Sequence, residues 1–198
     1  MKNLNNYIVE HLEYSTFPIT ERLHITKQTK AYKYSPKTKE ELREILEERL
    51  AEDKDADLND IDVSKITDMG KINSYGLSYG LFESLDPHNI KLDKWDVSNV
   101  TDMKWMFYDC VDFNSDLSNW NVSNVTDMCF MFYDCENFNT DLSNWDVSNV
   151  RSMKAMFFDC KNFEGKGLEK WNISKVTNMN YMFDKCTSLQ NKPNWYKE

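Results

Sequence analysis

The chain has 198 residues, a formal charge of −9, 40% apolar residues and five cysteines. That length suits one repeat domain with a short N-terminal region, not two globular domains. No run of about 18 apolar residues is available for a membrane span. Residues 1–54 carry ten basic and ten acidic residues and residues 55–198 carry 14 and 23, so the acidic excess lies on the C-terminal part. That field repels phosphate backbones and anionic headgroups, and neither nucleic acid nor a membrane is an expected partner.

In chain order, the opening Met-Lys-Asn-Leu-Asn-Asn has no basic start, apolar stretch or small-residue cleavage site. A cytoplasmic or virion-associated protein is expected, with the cell surface disfavoured. Leu4, Ile8 and Leu12, with Tyr7 beside them, suggest a short helix that Pro18 breaks. Residues 1–34 read either as a tether that docks through Leu4, Tyr7, Ile8 and Leu12 or as an extension packed on the next element. Thr38-Lys39-Glu40-Glu41 is a capping box, and Leu42, Ile45, Leu46 and Leu50 come after it on one face. This predicts an amphipathic helix over 37–52, within a capping region 35–56, covering the open end of the C-terminal part.

Residues 57–198 are repetitive. Trp95, Trp120, Trp145 and Trp171 are spaced 25, 25 and 26 apart, each opening W-[DN]-[VI]-S-[NK]-V. A fixed period of this size marks stacked units that bury their apolar faces on one another. In the unit Trp120 to Asn144, Leu117, Trp120 and Val122 predict a short strand. Met128, Met131, Phe132 and Cys135, at i, i+3, i+4 and i+7, predict a short helix begun by Asp127. The fold class expected is an α/β repeat: a right-handed, leucine-rich-repeat-like solenoid of short parallel strands and short helices with an N-terminal capping helix. Val63 to Met69 reads as a degenerate first unit, interrupted by a glycine-rich insertion at 70–80 that is expected to loop out. The last unit stops halfway, with Pro193 in the Leu117 place and Tyr196 in the Trp120 place.

Cys110, Cys135, Cys160 and Cys186 keep the same period, which suggests a reduced, buried thiol column. The methionines at 103, 128, 153 and 179 and at 106, 131, 156 and 182 form two further columns read as core. His11, His24 and His88 have no mutual spacing suited to zinc, and His88 stands in the column of Phe113, Phe138 and Phe163. Stacked Asp109, Asp134 and Asp159 invite calcium but lack a dense ligand pattern, so calcium is not expected. No catalytic motif occurs, and no catalytic residue, metal ligand or cofactor is assigned. Trp105, Phe130 and Tyr181 share one variable position, and Tyr108 and Tyr133 share another with Phe158. An exposed aromatic stripe of that kind would anchor a partner, whereas a buried one would fill space between units.

The unit W-D-V-S-N-V-T-D-M-x-x-M-F-x-x-C-x-x-F-N-x-D-L-S-N resembles the BspA-like leucine-rich repeats of bacteria, and Trp120 through Asn144 matches it almost letter for letter. The resemblance implies a right-handed solenoid and a non-enzymatic surface or interaction protein. Repeats of this kind without an export signal also occur in phages of gut bacteria. The function expected is therefore a scaffold presenting a repeat face to a protein partner. The alternatives are a phage virion-associated structural protein docked by its N-terminal segment and a bacterial surface adhesin.

Overall fold

The structure is a computed structural model that describes residues 32–74 and 77–197. The docking candidates Leu4, Tyr7, Ile8 and Leu12 lie outside the described residues. Residues Lys33–Glu198 cluster as one compact unit. Tyr34 belongs with it, because it forms a parallel bridge with Ile61 and its N–H donates to the Asp60 carbonyl.

Helix α1 spans Lys39–Glu52. The Thr38 hydroxyl accepts the Glu41 N–H, and the Glu41 carboxylate accepts the Lys37 N–H at 2.8 Å, closing the cap in both directions. Leu42, Leu46 and Leu50 are fully buried and join the core of the repeats. Gly70 to Gly80 is not a plain loop. Strands β1 (Ile72–Ser74) and β2 (Leu77–Tyr79) pair antiparallel, with Ile72 opposite Tyr79. Ile72 turns into the core while Leu77 is 70% exposed at the far end.

The expected solenoid of parallel strands and helices is not what the chain forms. Among the described residues there is one α-helix and one two-stranded antiparallel sheet. From residue 81 to 197 the only regular elements are a single 3-10 turn, Leu168–Lys170, and isolated bridges. The physical reason lies in where the backbone N–H groups go. Met128, Phe130, Phe132 and Asp134 donate to Ser152, Lys154, Met156 and Phe158 of the next unit at 2.9–3.0 Å. The alternate residues Met131, Tyr133 and Cys135 close turns onto carbonyls three residues back. A helix needs every one of these donors for its own carbonyls four residues back, and half of them are committed elsewhere. Phe130 and Asp134, both at φ 58°, occupy the third place of two such turns, the left-handed place that a type II turn requires.

The predicted strand at 116–122 is likewise a run of turns. Asp116, Asn121 and Asp127 each accept, at a side-chain oxygen, the N–H two residues on. These Asx turns explain why acidic and amide residues recur in the unit, and Asp127 therefore begins no helix. One parallel bridge per unit runs through Asp68, Asp102, Asp127, Ser152 and Asn178.

Stacked side chains fill the space between the turns. Phe82, Phe107, Phe132, Phe157 and Phe183 form a file with centroid spacings of 4.8, 5.6, 5.7 and 5.8 Å. Trp95 stacks on Trp120 at 6.4 Å with an interplanar angle of 3°. Each repeat indole donates its Nε1–H to a leucine carbonyl of the unit before it, Trp120 to Leu92 and Trp145 to Leu117 at 3.0 Å. At the end of the chain Trp195, not Tyr196, takes this role, donating to Leu168 at 2.8 Å and stacking on Trp171. The extra residue of the fourth unit is absorbed at Gly167, where φ is 87° and a Cβ would stand 2.3 Å from the Ser143 nitrogen. Only glycine fits there.

Candidate functional site

The variable aromatic positions form one ribbon. Trp105 stacks on Tyr108 at 4.8 Å, Tyr108 on Tyr133 at 4.8 Å, and Tyr133 on Phe158 at 4.6 Å. Phe130 meets Trp105 edge-on at 5.7 Å and Tyr133 at 5.8 Å. The structure thus brings together four of the five aromatic candidates and adds Phe158. Tyr181 stands one unit further, beyond the small Ala155, and is 59% exposed. Trp105, Tyr108, Phe130, Tyr133 and Phe158 are half-buried: their inner faces stack and their outer edges meet solvent. The ribbon therefore both fills space between units and offers ring edges to a partner.

Backbone geometry sets this arrangement. Trp105, Phe130, Ala155 and Tyr181 all have φ between 49° and 67°, left-handed for a residue with a Cβ. Bulky residues rarely adopt that conformation, and doing so costs roughly 1–2 kcal/mol. At the first three of these positions the inter-unit ladder imposes it: Trp105 N–H donates to the Cys129 carbonyl, Phe130 N–H to the Lys154 carbonyl and Ala155 N–H to the Asn180 carbonyl. Lysines cover part of the ribbon, with Lys71 over Trp105 and Lys154 over Phe130, each at 5.5 Å, and Lys185 over Phe158 at 4.8 Å. Partial burial, then its tyrosine neighbour Tyr133, raises the phenol pKa of Tyr108. Tyr108 thus stays a neutral, hydrogen-bonding amphiphile.

Beside the ribbon runs the aspartate file Asp109, Asp134 and Asp159, left-handed at φ 57–58°. Desolvation, then the charges of Asp159 and Asp109, pushes the Asp134 carboxyl up. Lys185 meets Asp159 at 3.5 Å, so the last unit supplies a lysine where the others supply a carboxylate.

The thiol column is buried and free of disulfides. Each thiol is aimed at the carbonyl of a phenylalanine one unit earlier, Cys135 to Phe107 and Cys160 to Phe132 at 3.0 Å, Cys186 to Phe157 at 2.8 Å. Cysteine is the small residue that both packs and donates there. Burial holds Cys110, Cys135 and Cys160 well above the usual thiol range and pushes Cys186 up to about 12. Such thiols are poor nucleophiles.

One grouping is invisible to spacing along the chain. Asp86, His88 and Asp112 converge so that one potential ligand atom from each lies within 4.8 Å of the others. The only signal in the sequence is His88 in a phenylalanine column, one unit from Asp112. Among the described residues no helix is long and apolar enough to cross a membrane. No curated protein and no solved structure matches the chain. Residues 77–196, more than half of the chain, match the family described as Mycoplasma protein of unknown function, DUF285, and the chain belongs to that family.

Proposed function

We propose that this protein is a non-enzymatic scaffold whose stacked units present the ribbon of Trp105, Tyr108, Phe130, Tyr133 and Phe158, extended by Tyr181, to a protein partner. The observation that carries this reading is a run of half-exposed rings stacked 4.6–4.8 Å apart, with Trp105 and the adjoining Phe130 on strained left-handed backbone. Aromatic residues in such semi-rigid sites offer large contact area at little cost in conformational entropy, the property that makes them interface anchors. The resemblance of the repeat to BspA-like interaction proteins supports the same role. The buried free thiols suit a reducing compartment, the cytoplasm or an assembling virion.

Replacing Trp105, Phe130 and Tyr181 together by alanine is expected to abolish recovery of a cross-linked partner from host lysate. Alanine also relieves no left-handed strain, so the melting temperature is the necessary control. Recovery unchanged in a folded variant would remove the ribbon from function.

A further inference from the structure

We propose that Asp86, His88 and Asp112 form a binding site for a divalent cation of borderline softness, with Zn2+ as its representative. This goes beyond the aromatic ribbon and does not depend on it. His88 Nε2 lies 3.8 Å from Asp86 Oδ2 and 3.9 Å from Asp112 Oδ2. The three ligand atoms lie within 4.8 Å of one another. Ligands about 2.1 Å from a tetrahedral zinc stand roughly 3.4 Å apart, so each carboxylate needs to close on the imidazole by about half an ångström, and the two carboxylates on each other by at most about 1.4 Å. Exposed Asp86 can do this by side-chain rotation alone.

The supporting shell makes this more than a chance meeting of charges. The backbone of His88 is pinned on both sides. Its N–H donates to the Lys54 carbonyl at 3.0 Å, and its carbonyl accepts from the Asn114 N–H at 3.3 Å and the Ser115 hydroxyl at 3.4 Å. Asp112 ends a side-chain ladder in which Asn162 donates to Asn137 at 2.9 Å and Asn137 donates to Asp112 Oδ1 at 2.7 Å. An asparagine at 112 would extend that ladder towards Pro87, whose side chain accepts nothing. Aspartate instead stops it, with one oxygen fixed by Asn137 and the other facing the imidazole. In the later units the place of His88 belongs to Phe113, Phe138 and Phe163, all fully buried. The first unit therefore exchanges a packing residue for a nitrogen ligand at the point where the amide ladder turns into a carboxylate.

One imidazole and two carboxylates suit Zn2+, Co2+ or Ni2+ better than Ca2+ or Mg2+, which prefer all-oxygen shells. Water would complete the coordination sphere.

The test is calorimetric titration of the metal-stripped full chain with ZnCl2, with the melting temperature tracked in parallel. One equivalent is expected to bind and to raise the melting temperature. His88→Gln and Asp86→Asn should each weaken binding by more than the tenfold to hundredfold typical of losing a supporting hydrogen bond, and Asn137→Ala should fall in about that tenfold to hundredfold range. Asp86 is exposed, so folding is not at issue for its variant. The double variant His11→Gln, His24→Gln should bind as the wild type does. No binding by the wild type, binding retained when Asp86 or His88 is replaced, or calcium binding as tightly as zinc would each overturn the proposal.

Discussion

The two ends of the repeat stack face the same difficulty and meet it differently. Every inner unit offers carbonyls that the preceding unit's N–H groups fill: Met106 accepts from Phe82, and Met131 from Phe107. Among the described residues the first unit has no predecessor. There α1 substitutes a side chain for a backbone, and Arg43 donates to the carbonyls of Leu81 at 2.8 Å and Glu83 at 2.9 Å. Leu81 and Glu83 stand where Met106 and Tyr108 stand one unit on. Lys39 reaches the Lys71 carbonyl, and Lys54 the Leu85 carbonyl. At the other end, the columns fade into solvent. Ile173, Val176, Met179 and Leu189 are only partly buried, whereas Val147, Val150, Met153 and Phe163 are sealed. A stack of turns thus needs an explicit cap for its unpaired carbonyls, and basic side chains on a helix can serve as one.

The largest expected effect tests the packing side of this contrast. Leu46→Ala empties a fully buried place under the cap and should cost about 3 kcal/mol, lowering the melting temperature by roughly 6–12 °C. Met179→Ala, at the half-open end, should cost about 1 kcal/mol because much of that surface is already wet. Equal losses in thermal melts would erase the asymmetry.

The polar side is tested by Arg43→Met, which keeps the stem and removes the donors. Orphaned buried carbonyls make a loss of about 2 kcal/mol the expectation. Arg43→Lys should recover only part of it, since one ammonium cannot reproduce the planar fork. Amide exchange should accelerate first in α1 and residues 80–85; uniform acceleration would mean that Arg43 holds the whole stack instead of its edge.

The smallest effect concerns the thiol nearest the open end. Burial raises Cys186 from 9.0 to about 12. An acid held protonated in the folded state contributes its full stability below the unfolded pKa and loses it as pH rises through the folded one. The melting temperature should therefore decline between about pH 9 and pH 12, and Cys186→Ala should flatten part of that decline. A variant as steep as the wild type would assign the alkaline loss to other groups.

Much of the molecule is legible in its residues. The 25-residue period, the methionine and cysteine columns, buried but for Met179, and the helix after Thr38 come from spacing and cap chemistry, because apolar residues at equivalent places must find one another. The five aromatic candidates are identifiable for the same reason: they recur at two repeat positions that stay aromatic in most units. The Asp86–His88–Asp112 grouping is hidden, since its members join only when one unit lies against the next.

What the sequence could not decide was the backbone conformation between the columns. An i, i+3, i+4, i+7 pattern such as Met128, Met131, Phe132 and Cys135 is satisfied equally by a helix and by successive turns that bury the same side chains. The choice rests on whether each N–H finds its acceptor within its own unit or on the adjacent one, a long-range competition that local spacing does not encode. Tertiary stacking won it by presenting carbonyls at 2.9–3.0 Å, at the cost of left-handed residues at Trp105 and Phe130. Those same residues thereby became a surface ribbon.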